Sequence, residues 1–288
     1  MKRILFPSDF SDASKNALKI ALKLAKDVGA EIYLLHSLNS VQQYVDITLS
    51  TTGDVTMPGM QPDVVMAAIA EERARVEKNM DSLKLEVEKS GVKVISEIVH
   101  PALEYVVNDI TAENKIDFIV MGTHGASGLR EAFIGSNAQK IVRLAKVPVL
   151  TVNGDLKDFE VKDIVVCSDF TESEINEQLP RVKKFADLFN AKLALVYINT
   201  PTYFEETKTV MSRINSVVAE FGLGEVSINI YNSFDIDEGV IDFAEQENAD
   251  VISLITHGYR GVKKLFSDNI TESVVNHSRI PVLTLHID

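Results

Sequence analysis

MGTHGASGLREAFIGSNAQKIV, residues 121–142, carries four glycines in its first 15 positions and then turns to a helical pattern. Glycine costs conformational entropy unless the backbone needs φ > 0 or another group must approach it closely. The stretch follows an apolar run, DFIVM, and is followed by a second one, VPVLTV, so it reads as strand, glycine-rich loop, helix, strand. A near copy, LITHGYRGVKKLFSDNITESVV, stands at 254–275 with two of those glycines gone.

The copy extends along the chain. KRILFPSDFSDAS at 2–14 answers KDIVVCSDFTESE at 162–174, and AEIYLLHSLN at 30–39 answers AKLALVYINT at 191–200. IDFIVMGTHG at 116–125 answers ADVISLITHG at 249–258, and VPVLTV at 147–152 answers IPVLTL at 280–285. The offset falls from 160 residues at Asp9 and Asp169 to 133 at His124 and His257, so the first copy carries about 27 extra residues. They are expected in SVQQYVDITLSTTGDVTMPGMQPD, residues 40–63, either as a lid or interaction loop or as an insertion without function.

Within the first copy, RILFPS reads as a strand and SDASKNALKIALKLAKDVGAE as a helix capped by Ser11 or Asp12 and stopped by Gly29. IYLLHS is a second strand. Ile69, Val76, Met80, Leu83 and Val87 recur at helical spacing within a helix over 63–90. Apolar strands alternating with helices predict a mostly parallel sheet covered on both faces, an α/β doubly wound domain present twice. The expected domains are 1–153 and 161–288, joined through the polar stretch NGDLKDFEVK at 153–162.

A chain of 288 residues suits two such units, each able to bury a core. A net charge of −13 argues against general affinity for nucleic acid or anionic membranes. With no leader-like segment and no apolar run of membrane-spanning length, a cytoplasmic location is expected. The lone Cys167 sits in the run IVVC and reads as a buried strand residue, and the histidines show no metal-ligand spacing.

In an open α/β sheet a ligand sits beyond the carboxyl ends of the strands. Two loops leave such ends: PSD at 7–9 and the glycine-rich stretch, whose helix start near Ser136 would offer free N–H groups to an anion. GxxxxGK[ST], GxGxxG and GxSxG are all absent, which excludes a Walker loop, a dinucleotide fingerprint and a nucleophile elbow.

Gly122-x2-Gly125-x9-Gly135-Ser136, after a strand ending in Met121 and paired with an early P-[ST]-D, resembles the ATP-binding pattern of the universal stress protein family, in two tandem copies. The resemblance implies five-stranded parallel sheets in 3-2-1-4-5 order. It also implies an intramolecular pseudo-dimer formed through VPVLTV and IPVLTL, with pairing of whole chains into a homodimer left open. It implies that Asp9 accepts from the adenine amino group, and that Pro7, Ser8 and Ser37 line the base pocket. The family often has an aliphatic residue at the Ser37 place. Met121 and Gly122 would lie along the ribose, while Gly125, Gly135, Ser136 and the backbone of Asn137 would hold the phosphates, with Mg as counter-charge. On the residues themselves, Gly135-Ser136 also reads as a mere helix start and Asp9 as a mere cap.

The second copy fails this pattern. Ile255 replaces Gly122, Asp268-Asn269 replace Gly135-Ser136, and Cys167 replaces Pro7. A branched side chain and a negative charge are expected there to exclude a triphosphate, so one nucleotide per chain is expected. No catalytic set stands near the loop; His124 recurs as His257 in the failed copy, and Arg130 is the nearest cation. A nucleotide-binding stress or signalling module with an unidentified protein partner is expected. The alternatives are a slow ATPase or self-phosphorylating enzyme, and a tandem scaffold or small-molecule binder without nucleotide.

Overall fold

The computed structural model describes residues 1–38, 62–100, 102–123, 135–255 and 268–285. The first half runs β1 (Arg3–Pro7), α1 (Asp12–Val28), β2 (Glu31–Ser37), α2 (Pro62–Lys89), β3 (Val94–Val99), α3 (Leu103–Glu113), β4 (Phe118–Gly122), α4 (Ser136–Leu144) and β5 (Val149–Val152). The second runs β6 (Asp163–Cys167), α5 (Glu172–Phe189), β7 (Lys192–Asn199), α6 (Thr207–Phe221), β8 (Ser227–Asn232), α7 (Ile236–Gln246), β9 (Val251–Ile255), α8 (Asp268–His277) and β10 (Val282–Leu285).

The strands form one ten-stranded sheet in the order β3-β2-β1-β4-β5-β10-β9-β6-β7-β8. Each half therefore has the order 3-2-1-4-5, and every pairing within a half is parallel. The central strands are largely apolar and, apart from Arg3, Gly122 and Asp163 at their ends, buried, as the helices that cover both faces require.

The halves meet where β5 and β10 pair antiparallel, with Leu150 opposite Leu283. The junction repeats itself about that point. Thr151 Oγ1 donates to the Val282 carbonyl at 3.1 Å, and its counterpart Thr284 Oγ1 donates to the Val149 carbonyl at 3.3 Å. Such reciprocal contacts mark an isologous, two-fold-like joint. Both hydroxyls are buried and both find an acceptor, so the seam holds no unsatisfied threonine.

Helix α1 shows why the local sequence folds as it does. Ser11 caps it by accepting from the Ser14 N–H, and Gly29 ends it in the left-handed region at φ 68°. Its stripe Ala17, Leu18, Ala21, Leu24 and Ala25 is buried against the sheet. Helix α2 differs from expectation at its start. The stripe is buried from Val76 through Met80, Leu83 and Val87, but Ile69 is only half-buried and Met66 is 59% exposed. The apolar period continues past the part of the helix that has a sheet to cover. Residues 40–61 of the expected insertion lie outside the described residues. Among the described residues, no helix is long and apolar enough to cross a membrane.

Candidate functional site

The loop after β1 is shaped by its own short polar side chains. The Ser8 N–H extends the ladder to the Leu35 carbonyl at 2.9 Å. Ser8 Oγ accepts from the Phe10 N–H at 3.1 Å and lies 2.8 Å from Ser14 Oγ. Asp9 Oδ1 accepts from the Ser11 N–H at 3.0 Å, which makes an Asx-type turn. These bonds hold Phe10 at φ 63°, a conformation that a bulky residue adopts only when its surroundings impose it. The Asp9 side chain is left at the surface.

His36, near the end of β2, packs on this loop. Its ring stacks on Phe10 with centroids 4.5 Å apart, and Nδ1 lies 2.7 Å from the Ser8 carbonyl oxygen. A carbonyl can only accept, so Nδ1 carries the proton and Nε2 is left as an acceptor. Burial pushes the His36 pKa below its ordinary value, against the upward pull of the Ser8 carbonyl and the Asp9 carboxylate.

The third wall comes from the end of β4. The Thr123 N–H donates to the Val152 carbonyl at 3.1 Å, and the Gly135 N–H donates to the Thr123 carbonyl at 2.5 Å. Gly135 is the N-cap of α4 without any side-chain cap, and no acidic residue stands in the first turn. Helix geometry leaves the first N–H groups of α4 without partners inside the helix, and the dipole puts positive character there.

These three elements enclose a cavity of about 230 Å³. Of the residues singled out in the sequence, Pro7, Ser8, Asp9 and Ser37 line one side, and Met121, Gly122, Gly135 and Asn137 line the other. Ser136 opens α4 beside them. Gly125 lies outside the described residues, as do His124 and Arg130. Ser14, Leu35, His36, Leu103, Thr123 and Ala138 complete the lining and were not anticipated. His36 alone among them carried a sequence signal, as a polar ring in the apolar run IYLLHS. Leu103 enters from α3 and Ala138 from within α4, and no local pattern announces either.

Gly122 has a reason that the sequence did not reveal. A Cβ placed there would stand 2.9 Å from the Ala13 carbonyl oxygen, 3.0 Å from its carbon and 3.3 Å from the Ser14 nitrogen. The end of β4 touches the first turn of α1, so glycine is required by chain packing whatever lies in the cavity.

The second half builds the same loop. Ser168 Oγ accepts from the Phe170 N–H at 3.1 Å, Asp169 Oδ1 accepts from the Thr171 N–H at 2.9 Å, and Phe170 sits at φ 57°. Yet Asp169 is 2% exposed and Phe170 0%. Tyr197 replaces His36 and Ile198 replaces Ser37; both are buried, as is Ile255. The Tyr197 hydroxyl lies 2.9 Å from the Tyr203 carbonyl and 3.2 Å from Glu205 Oε1. Arg213 grips both Glu205 oxygens at 2.9 and 3.0 Å, with its guanidinium 5.6 Å from the Tyr197 ring centroid. Cys167, at the Pro7 place, is fully buried, and burial pushes its thiol pKa well up, which keeps it in the unreactive thiol form.

Comparison with known proteins fits this geometry. The model of the universal stress protein family matches residues 1–153 and again 160–286. A universal stress protein of Methanocaldococcus jannaschii is 30% identical over 159 residues, which is 54% of this chain and 85% of that one. The universal stress protein YxiE of Bacillus subtilis is 31% identical over 152 residues, 52% of this chain and 97% of that one. Among solved structures, a universal stress protein from Archaeoglobus fulgidus superposes with a TM-score of 0.69 at 22% identity, covering 98% of this chain and 97% of that one.

Proposed function

The chain belongs to the universal stress protein family, and from that premise we propose that its first half binds one adenine nucleotide, ATP or its ADP or AMP form, as a stress-response and signalling module. The observation that carries this reading is the cavity itself, which joins an acceptor-rich loop to an uncapped helix start with no acid in its first turn. Asp9 accepts from the adenine amino group, with Pro7, Ser8 and Ser37 around the base. Met121 and Gly122 follow the ribose. Gly125, Gly135, Ser136 and the Asn137 backbone take the phosphates. Among the described residues no group of three His, Cys, Asp or Glu could hold a metal ion, so Mg would be held by phosphate and water, in keeping with its usual chemistry. Occupancy of the cleft changes how the chain engages a protein partner in the cytoplasm.

The described lining contains Asp9 and His36 but no lysine or arginine. Phosphoryl transfer needs an oriented water and compensation of charge in the transition state, so a binding role is favoured over an ATPase. A second reading rests on the Asx turn. Asp9 makes the same turn bond as Asp169, which is buried, so Asp9 could be structural and the chain a tandem scaffold.

Calorimetric titration with ATP and Mg separates these readings. One equivalent taken up per chain is expected, matched by one nucleotide per chain in native mass spectrometry. No uptake by folded protein would leave the scaffold, and turnover at ordinary enzyme rates would restore the ATPase.

A further inference from the structure

A second cavity of about 290 Å³ lies at the opposite end of β4, where the first half meets α5 of the second. Its floor is apolar. Phe118, the first residue of β4, stacks on Phe185 of α5 at 5.3 Å and 5° between planes, and Leu188 and Leu283 flank the pair. Its rim is cationic, with Arg181 and Lys184 on one face of α5 and Lys146 opposite them. The acid present, Asp117, accepts from the backbone N–H groups of Lys2 and Arg3 at 2.6 and 3.1 Å. Among the described residues neither Arg181 nor Lys184 forms an ion pair; Arg181 reaches only the Lys146 carbonyl, at 3.4 Å.

The two-fold-like joint supplies an internal control. Aligning α1 and α5 on their left-handed C-caps, Gly29 and Asn190, sets Ile20 against Arg181, Lys23 against Lys184 and Asp27 against Leu188. On α1 the lysine is neutralised by Asp27 at 2.7 Å. On α5 that acid has become an exposed leucine and a further cation has been added. The fold therefore does not demand this combination, since its other copy does without it. Three cations over an apolar floor, on a chain of net charge −13, form a local inversion that suits an anion with a hydrocarbon body.

We propose that this groove between the halves is a binding site for a small organic anion. Its carboxylate lies between Arg181 and Lys184, and its hydrocarbon tail lies on Phe118, Phe185 and Leu188. Arginine offers the paired donors that a carboxylate matches. The cavity is about ten times the ~30 Å³ share of one liquid water, room for on the order of ten non-hydrogen atoms, the size of octanoate. The site is separate from the nucleotide cleft and stands whether or not that cleft is filled.

Isothermal titration of the full chain with octanoate tests it. Saturable binding at one equivalent is expected. The double variant R181E/K184E should lose at least tenfold in affinity, and octyltrimethylammonium, of equal tail length, should not saturate. Leu188→Asp, which restores the acid of α1, should also lose at least tenfold, with thermal unfolding confirming that each variant is folded. Asp9→Ala should leave octanoate binding unchanged. Absence of saturation, equal binding by R181E/K184E or Leu188→Asp, or equal binding of the cationic amphiphile overturns the proposal.

Discussion

The loops at the ends of β1 and β6 follow the same backbone course and differ in what covers them. Both use a serine hydroxyl and an aspartate carboxylate to hold the next phenylalanine at positive φ. In the first half the aspartate is at the surface of a cavity. In the second it is 2% exposed, and Tyr197 and Arg213 lie near enough to feel its charge. A strand-end loop can therefore be preserved for its own geometry while the space beside it is kept or filled by residues from elsewhere. Preservation of the S-D pair in both copies reports the turn, and the opening reports the neighbours.

The strongest way to break this contrast is to carry Ile255 into the first half. Gly122→Ile forces a side chain onto the Ala13 and Ser14 backbone. It should destabilise the fold by about 1–3 kcal/mol and weaken ATP by more than a hundredfold, through displacement of the α1 start that carries Ser14. Urea unfolding and titration calorimetry measure the two effects; unchanged affinity would mean that the cleft does not need its wall at that place.

Arg213→Ala tests the covered side. Glu205 and Arg213 are each under one-third exposed, so removing the guanidinium leaves a half-buried carboxylate without its fork. A loss of about 1.5–3 kcal/mol is expected, with nucleotide stoichiometry still at one. A stability unchanged in chemical unfolding would deny that this clasp closes the second half.

A smaller effect is expected at the aspartates. Asp9→Ala should weaken ATP about tenfold, near 1.4 kcal/mol for one charge-assisted hydrogen bond, while Asp169→Ala should leave affinity alone and cost only stability. Equal affinity for both variants would assign Asp9 to the turn alone.

The smallest effect is that of pH on His36. Its folded pKa lies below the ordinary 6.5 because burial penalises the cation, with Asp9 and Glu72 pulling upward and Arg75 downward. The unfolded chain then binds the proton more readily. His36 therefore contributes fully above pH 6.5, and stability falls as pH drops through the folded pKa. His36→Tyr, the residue of the second half, removes this ionisation. Thermal midpoints of the two proteins compared from pH 8 to 5 should diverge only below about 6.5, with the unmodified chain losing more; parallel curves would remove His36 from the titration.

Much of the lining of the candidate site was legible because the cavity lies where strands end, and strands are visible as apolar runs. Pro7, Ser8, Asp9, Met121 and Gly122 follow from two such ends, and Gly135 from a glycine before a helical period. Leu103 and Ala138 were not legible, because each belongs to an ordinary amphipathic helix and faces the cavity only through the angle at which that helix packs. Ile69 shows the converse. Its spacing continues the stripe of α2, yet it is half-buried, since burial needs a sheet beneath it as well as a period.

Local patterning by itself determined the strands, the helices with their caps and the doubling of the unit, because propensity and apolar period act over a few residues. Only the tertiary structure decided that Gly122 answers to Ala13, that one aspartate is open and the other sealed, and that α5 brings two cations and a leucine over Phe118. Those outcomes depend on residues brought together from distant parts of the chain, and no spacing along it encodes how closely two packed elements approach.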